Sequence, residues 1–197
     1  MIKNTFMLRS ELKKYANPDM KIKRMVTSGE LIPIVKGIYE TDKFTNGQYL
    51  SSIIYGPSYL SFEYALSYYS LIPEAVYNFT SATFEKKRTK QYATPFGVYA
   101  YRDVPSKAYP MEIVLKIENG YSYQIATPEK AICDMLYKTS PLKNLRGIRY
   151  FLFEDLRIDI DDFYSLNLEK MASISSLYST SNHKLLRSLL KKGKING

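Results

Sequence analysis

The chain has 197 residues, 45% of them apolar, with 28 Lys plus Arg against 19 Asp plus Glu and a formal charge of +9. That length and apolar content suffice for a real core and exclude a disordered chain, and the charge favours an anionic partner, nucleic acid first. One cysteine and one histidine (Cys133 and His183) exclude an intramolecular disulfide, a cysteine-based zinc site and a Ser-His or Cys-His nucleophile at a plausible place.

The first fifteen residues, "MIKNTFMLRSELKKY", are interrupted by charge every few positions and form no signal-peptide core. No apolar run approaches the ~20 residues needed to cross a bilayer, so the reading is cytoplasmic, with no membrane partner. "FMLRSELKKYA" (6–16) predicts a short helix with Phe6, Leu8, Leu12 and Tyr15 as its apolar positions. A second helix follows. Asn17 is a good N-cap, Pro18 fits the first helical position, and Asp19 lies where the helix dipole favours an anion. Ile22, Met25 and Val26 make an apolar stripe, Gly29 a stop. "LIPIV", "KG" and "IYE" then predict two strands joined at Lys36-Gly37.

Helix, turn, basic helix and hairpin is the order of a winged helix-turn-helix. On that reading Lys13, Lys14, Lys21, Lys23, Arg24, Thr27 and Ser28 meet phosphates or base edges of double-stranded DNA, and Lys36 touches the backbone from the wing. The alternative is a helix–hairpin corner with a solvated basic face. Residues 1–40 hold eight Lys or Arg against four acids, which suits either.

"TDKFTNGQ" (41–48) is the linker candidate and divides the chain into a unit over 1–45 and a larger one over 46–197. After Gly56-Pro57 a helix is expected to start near Ser58 or Ser61, either hydroxyl serving as a cap, with Leu60, Tyr64, Ala65 and Tyr68 at helical spacing and Pro73 at its end. "VYNFTSATF", "GVYAYRDV", "MEIVLKI" and "YSYQIA" read as strands, the last two joined by a turn at "ENG" (118–120). The fold class is therefore mixed α/β (α+β): a small N-terminal winged helix-turn-helix, then a larger domain with a mainly antiparallel sheet and flanking helices.

"ATPEKAICDMLY" (126–137) is first a helix start: Thr127 caps, Pro128 and Glu129 suit the first turn, Lys130 and Asp134 form an i, i+4 pair, and Ala131, Cys133 and Leu136 face a core. Cys133 reads as packing rather than chemistry. "FEKKRTK" (84–90) is a solvated turn or a second phosphate-contacting patch. "EDLRIDIDD" (154–162) has five acids but no partnering His or Cys; neither a metal nor a cofactor is expected. "NHKLLRSLLKKG" (182–193) is a basic amphipathic helix with Leu185, Leu186, Leu189 and Leu190 on one side, suited to docking on its own domain, to dimerisation or to a membrane surface. There is no GxxxxGK[ST] phosphate loop and no kinase catalytic-loop signature, which favours a binding protein over an enzyme.

"LIPIVKGIYE", "PSYLSFEYALSYYSLIPE", "GVYAYRDV" and "ATPEKAICDMLY" appear in the order and approximate spacing of AbiEi-type antitoxins, and the chain resembles that family over roughly residues 5–140. The resemblance implies an antitoxin of an AbiE-type, type IV toxin–antitoxin system involved in abortive infection and phage defence. Such a protein binds inverted repeats in its own promoter, as a homodimer in one arrangement, and opposes a nucleotidyltransferase-type toxin without requiring a stable complex. It also implies an antitoxic surface that includes Ser61, Glu129, Lys130 and Asp134. Two alternatives stay open: an atypical protein kinase acting on the toxin, and a winged-helix transcriptional regulator without a toxin. The short N-terminal unit and the segment after 140 depart from the family pattern.

Overall fold

A three-residue strand that the sequence pattern does not announce, β1 (Ile2–Asn4), opens the fold, followed by α1 (Thr5–Glu11), α2 (Pro18–Thr27), β2 (Ile32–Val35) and β3 (Ile38–Glu40) in a computed structural model that describes residues 1–193. β3 lies between β1 and β2 and is antiparallel to both, with Lys3 opposite Tyr39 and Ile32 opposite Glu40. Strand–helix–helix–hairpin with β3 central is the winged helix-turn-helix arrangement. α1 stops at Glu11, not at residue 16. The Asn17-Pro18 bond forces Asn17 out of the helical region, to φ −138°, ψ 90°, so the chain unwinds through Leu12–Asn17 before α2. Leu8 is buried and Leu12 partly so, whereas Phe6 is 81% exposed and Tyr15 sits exposed in the turn. The hairpin turns at Lys36-Gly37, with Gly37 at φ +79°.

The core of this unit is small: Leu8, Ile22 and Leu31, with Leu12, Met25, Val26 and Tyr39 around them. A second apolar cluster anchors it to the rest of the chain. Ile34, with Ile2, Val35 and Ile38, packs on Leu50, Ile54, Tyr99 and Tyr101 of the larger unit. The expected linker 41–48 is therefore not a free one at its far end. Residues 47–50 form a buried 3-10 turn in which Gln48 donates to Glu118 Oε2 (3.0 Å) and accepts from the Tyr64 hydroxyl (2.8 Å).

The larger unit is built on six strands: β4 (Tyr59–Leu60), β5 (Phe79–Thr83), β6 (Lys90–Thr94), β7 (Gly97–Asp103), β8 (Ile113–Glu118) and β9 (Tyr121–Ala126). Their order is β6-β7-β5-β4-β9-β8, and the β7–β5 and β4–β9 pairs are parallel while the other three are antiparallel. The sheet is mixed, with antiparallel pairs in the majority. β6 emerges from the basic stretch after Phe84, and the "ENG" turn holds Asn119 and Gly120 at positive φ. A short α3 (Ser51–Ile54) precedes the sheet, α4 (Phe62–Tyr68) follows β4, and α5 (Pro128–Lys138) follows β9.

Neither Ser58 nor Ser61 caps α4 with its hydroxyl. Thr80 does that work from β5: its Oγ1 accepts from the Tyr64 amide (3.0 Å) and donates to the Ser61 carbonyl (2.7 Å). After α5 come α6 (Leu145–Tyr150), a π-helical turn (Phe151–Asp155), α7 (Ile160–Ser165), α8 (Leu168–Ser175) and α9 (Ser181–Lys192). The acidic run feeds α7, whose first amides at Asp161 and Asp162 are capped by Asp159 Oδ1 (2.7 and 3.1 Å). Leu186 and Leu189 of α9 are buried against the chain's own helices, and Gly193 ends it at φ +65°. Lys194, part of the basic tail in the sequence, lies outside the described residues. Among the described residues no helix is long and apolar enough to cross a membrane.

Candidate nucleic-acid interface

α2 is fixed at both ends before any partner is considered. Asn17 Oδ1 accepts from the Met20 amide (3.0 Å), and Gly29, at φ +79°, reverses the chain so that the Leu31 amide reaches the Met25 carbonyl (3.1 Å). Arg9 of α1 grips Asp19 in a two-pronged pair, Nε to Oδ1 at 2.7 Å and Nη2 to Oδ2 at 3.0 Å. The hydrogen bond from Arg9 holds the Asp19 carboxyl below its ordinary range. This pair is fully exposed and acts as an orienting strap between the two helices rather than a large source of stability.

With Ile22, Met25 and Val26 turned inward, the opposite face carries Met20, Lys23, Arg24 and Thr27 at i, i+3, i+4 and i+7. All four are exposed, and Met20 is 47% so. Met20 is a candidate that the search for cations and hydroxyls passes over, although the same spacing could have found it; a thioether on this row suits contact with a thymine methyl. Thr27 Oγ1 donates to the Lys23 carbonyl (3.1 Å), leaving its lone pairs outward. Ser28 is less available, because its hydroxyl lies 2.7 Å from Glu30 Oε1 and 3.1 Å from the Met25 carbonyl. Lys21 is half-buried, and its ammonium lies 5.6 Å from the Tyr15 ring centre, with Lys14 at 5.7 Å from the same ring. Lys13 is exposed in that turn.

Lys36 projects from the wing, whose tip is tied down by Thr5: its amide (2.9 Å) and hydroxyl (3.2 Å) both donate to the Gly37 carbonyl. Among the described residues none of Lys13, Lys14, Lys21, Lys23, Arg24 or Lys36 makes an ion pair. A strip of cations with solvent before it and a packed helix behind it can take up phosphates without first breaking internal pairs.

Ser61, Glu129, Lys130 and Asp134 stand elsewhere and do not form a surface. Ser61, Lys130 and Asp134 are wholly buried, and Glu129 is nearly so. Asp134 Oδ2 accepts from the Tyr59 hydroxyl (2.9 Å) and Ser61 Oγ (2.7 Å), and Oδ1 accepts from the Tyr178 hydroxyl. Lys130 Nζ, 3.1 Å from Asp134 Oδ1, also donates to the Ala108 carbonyl (2.8 Å) and to Tyr178 (2.5 Å). Burial first, then the Asp134 charge, pushes the Tyr59 and Tyr178 phenols well above their ordinary range. This is a satisfied polar core joining β4, α4, α5 and the segment before α9. Glu129 is likewise engaged, accepting from the Asn167 amide (3.1 Å).

His183 stacks on Tyr178 at 4.2 Å between ring centres. Because Nε2 faces the Cys133 carbonyl (3.0 Å), Nε2 carries the proton and Nδ1 accepts from Thr180 Oγ1 (2.7 Å). Burial depresses its pKa to about 4, and burial raises the Cys133 thiol, so neither is poised for nucleophilic chemistry.

The fold and this strip define a mixed α/β protein carrying a winged helix-turn-helix. No family model and no curated protein matches the chain. Among solved structures, the crystal structure of the RV2827C protein from Mycobacterium tuberculosis is similar, with a TM-score of 0.61 and 12% identity, over 100% of this chain and 78% of that one. That likeness is one of fold.

Proposed function

We propose that the protein is a DNA-binding antitoxin that represses its own promoter and counteracts a nucleotidyltransferase-type toxin. The observation that carries the DNA-binding half is the outer face of α2. Met20, Lys23, Arg24 and Thr27 form one open row, and Lys36 stands on the wing. In this reading α2 lies in the major groove: Lys23 and Arg24 meet phosphates or guanine edges, and Met20 meets apolar base edges. Lys13, Lys14 and Lys21 line the approach around Tyr15. Two copies on an inverted repeat would place their helices about 34–36 Å apart. The antitoxin half rests on the AbiEi resemblance in the sequence; Lys130 and Asp134 serve it by holding the larger unit together.

The test is fluorescence anisotropy with a fragment of the gene's own promoter across a salt series. Replacing Lys21, Lys23 and Arg24 by Ala should weaken binding and reduce the slope of log K against log salt by about 2.7, at ~0.9 for each phosphate left without its cation. An unchanged slope removes α2 from the proposal. Co-expression with a neighbouring nucleotidyltransferase gene tests the other half, and failure of this protein to restore growth refutes it.

A further inference from the structure

We infer that the C-terminal helices carry a docking groove for an acidic, amphipathic helical segment of a partner protein, independent of the nucleic-acid face. Two adjoining hollows, of about 360 and 560 Å³, share Arg146 and Tyr150 at their common rim. The first is floored by Leu145, Phe153 and Leu189, with Ile160 partly exposed at its edge. Tyr150 is 60% exposed. An apolar trough with an aromatic and an arginine at its centre has the composition of an interface hot spot. The π-helical turn Phe151–Asp155 continues α6 at the first hollow, and such turns recur at functional positions.

The charge is what selects the occupant. Across the two hollows the cations Lys143, Arg146, Arg149 and Lys192 face only Glu154 and Asp155 as acids. Arg149 is the informative member. Its guanidinium lies 5.6 Å from the Phe153 ring centre, and its Nη1 is buried with no acceptor among the described residues. Leaving that nitrogen without an acceptor is destabilising, and because Arg149 also lines the first hollow, a carboxylate entering there would meet a guanidinium that gains a charge-assisted bond by turning toward it. The apolar floor disfavours a phosphate backbone, which would set its charges against Leu145, Phe153 and Leu189. Two open, adjoining hollows that share a rim suit successive apolar side chains of a helix, at i and i+3 or i+4, with Glu or Asp between them.

The probe is a fluorescein-labelled acidic peptide of about 16 residues, some 24 Å of helix, with Leu along one face and Glu along the other. It is titrated into the full-length protein by fluorescence polarisation. Saturable binding is expected, weakened about tenfold or more by Arg149→Ala and by Ile160→Glu and changed less than about twofold by Lys23→Ala. The same peptide with Lys in place of Glu should not bind. If Arg149→Ala lowers the melting temperature, Lys192→Glu on the exposed rim reports the same loss without touching the floor. No saturable binding, wild-type affinity retained in both Arg149→Ala and Ile160→Glu, or duplex DNA binding that Arg149→Ala alone weakens would each overturn the assignment.

Discussion

Replacing Asp134 by Ala removes one carboxylate from beneath four partners: Lys130, Tyr59, Ser61 and Tyr178. The Lys130 ammonium is then left buried with no counter-charge, which costs about 3–5 kcal/mol. Three hydroxyls lose their acceptor as well, at up to ~1 kcal/mol each where no alternative is in reach. A loss of about 3–8 kcal/mol is comparable to the whole stability of a typical domain, ~5–15 kcal/mol. Urea unfolding followed by far-ultraviolet circular dichroism measures it directly, provided the slope with denaturant is unchanged. The double variant Lys130→Met/Asp134→Leu should be more stable than Asp134→Ala alone, because it removes both charges, and the coupling between the two sites should exceed about 2 kcal/mol. A loss below about 1 kcal/mol for Asp134→Ala, or strictly additive effects, would refute the view that this cluster is a satisfied core.

Three other outcomes follow from the geometry. His183 has its folded pKa lowered from 6.5 to about 4, so the unfolded chain binds the extra proton first; stability is full above pH 6.5, falls by about 3 kcal/mol as pH drops toward 4, and levels below that, and melting temperatures of wild type and His183→Gln against pH should diverge in that window. Gly37→Val forces a β-branched residue to φ +79° with a new Cβ 3.2 Å from Thr5 Oγ1, and should destabilise the wing by about 1–2 kcal/mol or more, whereas Lys36→Ala beside it should stay within ~0.5 kcal/mol by thermal melting. At Gly47 an added Cβ would run into the Phe79 ring and lie 2.5 Å from the Phe96 carbonyl, so Gly47→Ala should lower the melting temperature by several degrees; no change would show that the turn yields freely.

The parts legible in the sequence are those whose physics is local. α2 announces itself because its cap, its first-position proline and its terminal glycine all lie within the segment, and the hairpin after it does so through Gly37. The parts that are not legible are tertiary. β1 has three residues and no periodicity, and is a strand because β3 offers it an edge. β4 has two residues inside a stretch whose spacing is helical. β6 hides among the basic residues after Phe84, and pairs because Thr94 and Gly97 close a turn onto β7. The end of the apparent linker is buried because Gln48 meets Glu118, seventy residues away. Lys130 and Asp134 read correctly as an i, i+4 pair, but their burial depends on Tyr59, Ser61 and Tyr178, which no local pattern connects to them. For the proposed nucleic-acid face, charge and hydroxyls on α2 are the visible signal. Met20 escapes that signal because it is apolar on an outer row, and Ser28 carries it although its hydroxyl turns aside to Glu30.

Tyr99 and Tyr101 are hydrogen bonded to the Gly47 and Ser51 carbonyls and lie with Ile34 in the seam beneath the wing. Under the proposed DNA-binding reading, a helix pair mounted on such a seat would turn little without breaking those contacts. If α2 settles in a groove, the azimuth of the remaining mass about the duplex axis is set by the same event. Neighbouring copies on one operator would then confront each other through whichever flanks the half-site interval dictates, and inserting half a helical turn between the repeats would swing those flanks to opposite sides of the DNA.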